Sequence, residues 1–200
     1  MATVNGARLA FFLTRNGAVC LEPAGGKVKW PVPFRARMAA SVNAATPVVV
    51  GDAAFFTASY GTGGLLLRGI DGAQPTEVWR DGVMSCQFAT PIHRDGYLYG
   101  FDDRFDGPNS NLRCVELKTG KLMWKKDDIQ RGTMILADGR FWILAEGKLF
   151  LAELSPQGFR EAGSASLLGG KNWTAPALAG GLLYLRDERT MMCVDVRDRK

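Results

Sequence analysis

The sequence has few of the residues that build metal sites and catalytic centres. Its 200 residues include one histidine, His93, which has no sequence-adjacent partner for nucleophilic or metal chemistry. The four cysteines form no CxxC, CxxCH or adjacent pair. They are Cys20, Cys86, Cys114 and Cys193. This spacing argues against a zinc site and against covalent haem attachment. Three of the four precede an apolar-acidic pair at equivalent repeat positions, and we expect those three to be small buried core residues.

Long apolar runs are also absent. No segment approaches the roughly 20 apolar residues that a membrane-spanning helix needs. Near the N-terminus, residues 9–13 are five consecutive apolar residues, which is too few for the core of a signal peptide. The expectation is that the protein is cytosolic or that its natural N-terminus lies upstream of Met1.

The charge of the chain is modest and mixed. The formal net charge is +5, and hydrophobic residues make up 46% of the chain. Lysine and arginine are interleaved with aspartate and glutamate and form no basic stripe, so we expect no nucleic-acid partner. The length suits one large or two small domains of a globular protein.

What the sequence does contain is an internal repeat. Residues 114–124 read CVELKTGKLMW, and residues 20–30 read CLEPAGGKVKW, 94 positions earlier. Both stretches have cysteine, an apolar residue and an acid, followed by Gly-Lys and a final tryptophan. Equivalent turns recur at spacings of 44, 43 and 42 residues. These turns are Gly51-Asp52, Asp95-Gly96, Asp138-Gly139 and Gly180-Gly181.

Five units follow from these spacings. Their approximate boundaries are 1–40, 41–84, 85–127, 128–169 and 170–200. Each unit contains short runs of alternating, β-branched or aromatic residues between turns, and helical periodicity is absent. Four-stranded units with a period of 40–45 residues predict an all-β fold, a β-propeller with antiparallel four-stranded blades. A β-sandwich, the rival all-β architecture, would not require this period.

The two tryptophan-ended stretches resemble the tryptophan-docking repeat of the PQQ-like (pyrroloquinoline-quinone-like, quinoprotein-type) propellers. The resemblance extends over essentially the whole chain. It implies that Trp30, Trp124 and Trp79 lodge between adjacent blades as structural staples. Members of that family usually have seven or eight blades and are exported to the periplasm. The five units therefore predict a single partial propeller, the C-terminal portion of a larger ring.

The resemblance leaves two kinds of function open. Some members are dehydrogenases that bind PQQ and calcium and oxidise alcohols or sugars, and others are non-catalytic scaffolds, including the propeller lipoprotein of the bacterial outer-membrane barrel-assembly machinery. The dehydrogenases often carry a vicinal disulfide, and the chain has no adjacent cysteines. Trp173 is the candidate for the platform beneath a quinone.

Residues 100–111, GFDDRFDGPNSN, form the longest loop within any unit. Asp102, Asp103 and Asp106 offer hard oxygen ligands of the kind that calcium prefers. The loop is not an EF-hand, because arginines occupy the positions where that motif requires acids. The alternative is a polar turn whose side chains cap their own backbone.

A carboxamide lies four residues before each inner-strand proline or its equivalent. These carboxamides are Asn43, Gln87, Gln130 and Asn172. In a propeller this position lies at the mouth of the central channel, where amides can bind a polyol, a sugar or a peptide. The next residues Phe88, Arg131 and Trp173 add stacking surfaces and a charge. Alternatively, each amide satisfies loop backbone at an equivalent structural position.

The leading interpretation is a non-catalytic binding or scaffolding module that works through one face and the central channel. It predicts a protein, carbohydrate or other polar small-molecule ligand and no cofactor. The first alternative, a quinoprotein dehydrogenase fragment, requires PQQ and calcium. The second is a self-assembling structural propeller, in which exposed edge strands pair and a homodimer completes the ring.

Overall fold

The computed structural model of the chain describes residues 1–36, 38–39, 41–103 and 110–197. These residues form nineteen strands in five antiparallel sheets. They contain no helix, and therefore none long and apolar enough to cross a lipid bilayer. The predicted all-β fold of four-stranded antiparallel sheets is confirmed.

The first three sheets each have four strands in chain order. Sheet 1 contains β1 (Ala2–Val4), β2 (Ala7–Thr14), β3 (Gly17–Leu21) and β4 (Val28–Pro33). Sheet 2 contains β5 (Val48–Val50), β6 (Ala53–Ala58), β7 (Gly63–Arg68) and β8 (Thr76–Asp81). Sheet 3 contains β9 (Ile92–Arg94), β10 (Tyr97–Asp102), β11 (Asn111–Glu116) and β12 (Leu122–Lys126).

The last two sheets differ in strand number. Sheet 4 contains β13 (Gly132–Ala137), β14 (Arg140–Ala145), β15 (Lys148–Ser155) and β16 (Gly158–Ser166). Sheet 5 contains β17 (Ala177–Ala179), β18 (Leu182–Arg186) and β19 (Met191–Asp195). Sheet 5 therefore ends on its third strand within the described residues.

The turn between the first and second strands of a sheet is tight. Asn5 and Gly6 have φ of 45° and 82°, and Asp95 and Gly96 have φ of 51° and 85°. Positive φ at both central residues is the geometry of the two-residue hairpin turn that matches strand twist, and it explains why Asn-Gly and Asp-Gly mark these positions.

Neighbouring sheets pack face to face through apolar side chains that alternate along each strand. Phe56 belongs to the cluster shared with sheet 1, and Phe55 belongs to the cluster shared with sheet 3. This alternation follows from the two-residue side-chain period of a strand. Four clusters join sheets 1–2, 2–3, 3–4 and 4–5. No such cluster in the described part of the chain joins sheet 5 to sheet 1.

The three predicted docking tryptophans lie on the fourth strands of sheets 1, 2 and 3. Each indole N–H donates a hydrogen bond to a backbone carbonyl of the next sheet. The pairs are Trp30 to Ile70 at 2.9 Å, Trp79 to Leu117 at 2.8 Å and Trp124 to Ser155 at 2.7 Å. Each ring also packs beside an aromatic ring of its own sheet's second strand. Each indole thus joins two sheets by packing and by a directed bond.

Candidate functional site at the loop face

In sheets 1, 2 and 4 the turn between the second and third strands bonds to a segment that leads into another sheet, and we call the side of the chain where these contacts lie the loop face. The segments that lead into the sheets cross this face. Asn43, on the segment entering sheet 2, donates from its side-chain amide to the Thr14 carbonyl at 2.8 Å. Gln87, on the segment entering sheet 3, donates to the Tyr60 hydroxyl at 2.8 Å. Thr14 and Tyr60 both lie where the preceding sheet passes from its second to its third strand.

The other two predicted amides also bond to protein groups. The Asn172 side-chain oxygen accepts from the Gly147 backbone N–H, and its amide donates to the Arg186 carbonyl at 3.3 Å. Gln130 donates to the Asp127 carbonyl at 3.4 Å. Three of the four amides thus bond to backbone, which favours the structural alternative for them. Their role in ligand binding stays a prediction.

The two predicted aromatic residues of the loop face contact each other. Phe88 and Trp173 stack with ring centroids 5.1 Å apart and an interplanar angle of 15°. The two rings line a small cavity together with Gly132 and Thr133, the first two residues of β13 in sheet 4. Trp173 keeps 57% of its surface exposed, and the Lys171 ammonium lies 5.9 Å from its ring centroid. Phe88 thus stacks on one indole face and Lys171 lies over the ring, while more than half of the surface of Trp173 stays exposed.

Arg131 lies beside this aromatic pair and also lines the small cavity. Its backbone N–H donates to the Ser110 hydroxyl at 3.0 Å, and its φ of 36° turns the chain at this point. Its guanidinium Nε lies 3.7 Å from an oxygen of Asp103. Burial raises the pKa of the Asp103 carboxyl, and the Arg131 charge offsets part of that rise. The side chain of Arg131 remains half exposed and can reach a ligand.

An open pocket of about 780 Å³ adjoins Trp173. It lies where the segment entering sheet 5 meets the loops that follow β14 and β18. Three cations and three acids line it, and they are Arg131, Lys171, Arg189, Glu146, Asp187 and Glu188. The pocket therefore presents both charge signs beside an exposed aromatic surface.

Asp187 holds one wall of this pocket in place. Its carboxylate accepts hydrogen bonds from the backbone N–H groups of Arg189 at 2.8 Å, Thr190 at 2.7 Å and Gly170 at 2.9 Å. These bonds, those from Arg189 and Thr190 foremost, hold the pKa of Asp187 below its usual value. The Asp187 carboxylate therefore binds the backbone of its own loop and of the segment that enters sheet 5.

Asp102 occupies the equivalent place in sheet 3 and is fully buried. It accepts from the Ser85 backbone N–H at 2.7 Å and pairs with the Arg113 guanidinium at 2.8 Å. Because both carboxylate oxygens are engaged, these contacts do not fit the calcium hypothesis for Asp102. Asp106 lies outside the described residues. Among the described residues, no group of three or more His, Cys, Asp or Glu side chains is arranged to hold a metal ion.

The anchoring role of Asp187 was missed in the sequence, although a signal for it exists. Residues 99–102 read YGFD, and residues 184–187 read YLRD. Tyr99 and Tyr184 lie at matching positions on the second strands of their sheets. The aspartate three residues later is therefore a repeated structural feature, which argues against a calcium ligand peculiar to one loop.

Residues 1–126, more than half of the chain, match the family described as "Outer membrane protein assembly factor BamB". The chain belongs to this BamB-like PQQ-repeat family. The resemblance to PQQ-like propellers predicted from the sequence is confirmed.

Two relatives are outer membrane protein assembly factors BamB. The protein of Moranella endobia (strain PCIT) is 25% identical over 182 residues, and that of Yersinia pestis is 25% identical over 186 residues. Each match covers 87% of this chain and 45% of the relative. The chain therefore spans less than half the length of these curated relatives.

Solved structures show a distant likeness. BamB from Moraxella catarrhalis is 15% identical with a TM-score of 0.34, covering 96% of this chain and 81% of that one. A chain of the nidogen/laminin complex is 15% identical with a TM-score of 0.47, covering 90% and 67%. Neither likeness carries an argument about function.

Proposed function

We propose that the chain is a non-catalytic scaffold module that binds a protein partner through its loop face and serves outer membrane protein assembly in the periplasm. The main support for this binding face is that Trp173 is 57% exposed and lines an open pocket of about 780 Å³. The assembly role and the compartment rest on membership of the BamB-like family and on the names of the two relatives.

The pocket's chemistry supports a polypeptide as the ligand. Exposed tryptophan and arginine are enriched among residues that dominate the energy of protein interfaces. Trp173 and Arg131 lie together here, and Phe88 holds the indole in one orientation, so little side-chain entropy is lost when a partner binds. Cations and acids on the same rim suit a peptide that carries both signs, rather than a simple anion.

The enzyme alternative receives less support from the same residues. A quinone platform needs an accessible ring face, and one face of Trp173 is stacked on Phe88 while Lys171 lies 5.9 Å from its ring centroid. Asp102, the buried member of the calcium candidates, is engaged by Ser85 and Arg113. The two proposals predict different results when PQQ and calcium are added.

The binding face is tested by site-specific photocrosslinking in the native host. A photoreactive phenylalanine analogue replaces Trp173 in one variant and Val78 in the control. Val78 is 44% exposed and lies on the outer strand of sheet 2. We expect an adduct with a component of the outer membrane protein assembly machinery from position 173 and none from position 78. Equal crosslinking at both positions, or none at 173, contradicts the proposal.

The energetic weight of Trp173 is measured with the partner identified in this way. Truncating an interface hot spot costs about 2 kcal/mol or more, so Trp173→Ala should weaken the Kd by roughly 30-fold. Val78→Ala should change the Kd by less than about twofold, because Val78 lies on the outer strand of sheet 2 and not on the loop face. Similar losses in both variants would place the interface elsewhere.

The enzyme alternative has its own assay. The protein is incubated with PQQ and calcium, then with an alcohol or a sugar and an artificial electron acceptor. We expect no saturable PQQ binding and no reduction of the acceptor above a PQQ-only control. Substrate-dependent reduction would overturn the non-catalytic proposal and establish the dehydrogenase.

A further inference from the structure

A second pocket opens between sheets 2 and 3, at the strand ends that point away from the loop face. It has a volume of about 390 Å³, and residues of both sheets line it. Sheet 1 packs on the other side of sheet 2, and sheet 4 packs on the other side of sheet 3. The pocket therefore lies within the fold, away from the ends of the chain. Its volume is in the range of small-molecule sites, roughly 300–1,000 Å³.

The wall of this pocket is mainly apolar. Ala53, Leu66 and Leu117 line it, and all three are buried members of the cluster that joins sheets 2 and 3. Val50 packs against the same cluster and also lines the pocket. Because burial of apolar surface against such a wall is favourable, the wall suits a ligand with an apolar body.

The backbone groups of Gly96 and Leu117 in this wall are already hydrogen-bonded. The Gly96 N–H donates to the His93 ring at 3.2 Å, and the Gly96 carbonyl accepts from the Leu117 N–H at 2.9 Å. The Leu117 carbonyl accepts from the Trp79 indole at 2.8 Å. A peptide placed against these residues would bury amide groups without partners, which is costly. A hydrocarbon body carries no such amides.

The charged side chains that line the pocket are basic. Arg68 and Lys118 both line it and are exposed, and no aspartate or glutamate of the described residues lines it. The pocket beside Trp173 differs, because cations and acids line it in equal number. The charge of the pocket between sheets 2 and 3 therefore favours an anionic group on the ligand.

The charge at Arg68 is the reverse of the charge that the repeat places at this position. Each third strand carries a charged residue two positions after the residue that pairs with an aromatic ring of the second strand. In the other four sheets this charged residue is an acid, namely Glu22, Glu116, Glu153 or Asp195. In sheet 2 it is Arg68. A requirement of the fold would be repeated, so the reversal indicates a role particular to this pocket.

One acid lies close to Arg68 without lining the pocket. The Arg68 Nε lies 3.3 Å from an oxygen of Asp52, and both side chains are exposed. An exposed ion pair of this kind is weak. A guanidinium also carries five N–H donors in a fork that binds carboxylates. Arg68 can therefore bind a ligand carboxylate while it remains beside Asp52.

His93 is a second departure from the repeat in the same pocket. The residue two positions before the turn between first and second strands is Thr3, Val49, Leu136 or Leu178 in the other sheets. In sheet 3 it is His93, which lines the pocket. Its Nε2 accepts from the Gly96 N–H, so the proton of the neutral ring is on Nδ1, which is a donor. Burial lowers the pKa of His93 and favours this neutral ring.

We propose that the pocket between sheets 2 and 3 binds a small carboxylate with an aliphatic body, such as a fatty acid of medium length. The hydrocarbon chain lies against Ala53, Leu66 and Leu117, and the carboxylate accepts hydrogen bonds from Arg68 and His93. The Lys118 ammonium adds attraction to the anion. This site is separate from the loop face and does not depend on the proposed function.

The single histidine of the chain makes binding directly measurable. Octanoate is titrated into the full 200-residue chain at about pH 8, where a histidine with a lowered pKa is neutral. The ring signals of His93 are followed by NMR, and we expect them to shift and to saturate. Acetate lacks the hydrocarbon body and 1-octanol lacks the charge, so each should bind at least about tenfold more weakly.

Two substitutions that copy other sheets test the polar contacts without disturbing the fold. Arg68→Glu restores the acid of the repeat and should weaken the Kd for octanoate by about tenfold or more. Arg8→Glu makes the same change of charge at an exposed residue of sheet 1 and should change the Kd by less than about twofold. His93→Val copies Val49 and should weaken the Kd by about fivefold, measured by calorimetry.

Equal Kd values for octanoate in Arg68→Glu and Arg8→Glu overturn the proposal, and so does equal binding of octanoate and 1-octanol. A shift of the His93 signals that does not saturate would show non-specific association and would overturn it too. N-acetylglycyl-leucine with a free carboxylate represents a peptide ligand. Tighter binding of this peptide than of octanoate would overturn the assignment of the pocket to an aliphatic carboxylate.

Discussion

The first three sheets and the fourth place their largest aromatic side chain on different strands. In sheets 1 to 3 the tryptophan is on the fourth strand, and the second strand carries a smaller ring. Those smaller rings are Phe11, Phe55 and Tyr99. In sheet 4 the tryptophan is Trp142 on the second strand, and the residue in the fourth-strand position is Gly163 opposite Leu151. The large and the small residue have exchanged places.

This exchange separates two contributions to the contact between sheets. Aromatic volume is kept in all four contacts, because Trp142 packs against the cluster that joins sheets 4 and 5. The directed hydrogen bond is tied to the fourth strand, from which the indoles of Trp30, Trp79 and Trp124 reach the next sheet. We infer that filling the space between sheets is the general requirement, and that the indole bond is an addition made in three of the contacts.

The largest predicted effect is the loss of a docking tryptophan. Trp30 is 2% exposed, so Trp30→Ala should lower the free energy of unfolding by about 3–5 kcal/mol through the cavity it leaves. Trp30→Phe keeps most of the volume and loses the bond to Ile70, which should cost about 1–2 kcal/mol. Urea unfolding followed by far-UV circular dichroism measures both changes.

Trp173→Ala is the control for this series, because an exposed tryptophan should contribute less than about 1 kcal/mol to stability. If Trp30→Phe is as destabilising as Trp30→Ala, the hydrogen bond rather than the volume holds sheets 1 and 2 together. The interpretation drawn from sheet 4 would then be wrong.

The fold could be predicted from the sequence because its signals are local and repeated. Asn5-Gly6 and Asp95-Gly96 mark the same tight turn, and their recurrence specifies strand order without long-range information. The tryptophan at the end of the fourth strand is also readable in three units. The position of Trp142 on the second strand of sheet 4 could not be predicted, because no repeated sequence pattern marks a tryptophan on a second strand.

The candidate site could be predicted only in part. Repeat spacing placed Phe88 and Trp173 at equivalent positions of different units, but their direct stacking depends on how far the chain turns between sheets. The direction of a side chain is likewise set by tertiary contacts. Asn172 bonds to Gly147, a residue of the previous sheet that no local pattern connects to it. Asp102 was assigned to a loop, yet it is the last residue of a strand and is buried.

A second prediction concerns a variant of sheet 4 that has a tryptophan on its fourth strand, as sheets 1 to 3 do. A side chain built at Gly163 would meet no atom within 4 Å of its Cβ, so the position has room. Gly163→Trp should raise the free energy of unfolding by about 1–2 kcal/mol through added apolar burial against sheet 5. Urea unfolding under the same conditions measures the gain, and Gly163→Ala is the matched control.

The double variant Trp142→Phe/Gly163→Trp recreates the sizes found in sheets 1 to 3. It should be at least as stable as the wild type. If Gly163→Trp alone destabilises the chain and the double variant does not, Trp142 already fills the shared space. If both destabilise it, the fourth contact differs from the first three in more than the placement of its aromatic residue.

The smallest predicted effect concerns acid and the segment that enters sheet 5. The indole bonds of the first three contacts involve no titrating group, whereas this segment is held by the Asp187 carboxylate through Gly170. The pKa of Asp187 is lowered in the folded chain from 3.8. Its contribution is therefore complete above that pH and is lost as the pH falls through the lower folded value.

Hydrogen exchange measures this loss at single amides. After correction for the intrinsic pH dependence, the amides of Gly170, Arg189 and Thr190 should lose protection below about pH 3.8. In Asp187→Asn their protection should be low and independent of pH over the same range. An unchanged acid response in the variant would show that another group titrates. Loss of protection at the Trp30 indole N–H over this range would show that acid loosens all the contacts between sheets alike, because that bond has no carboxylate to lose.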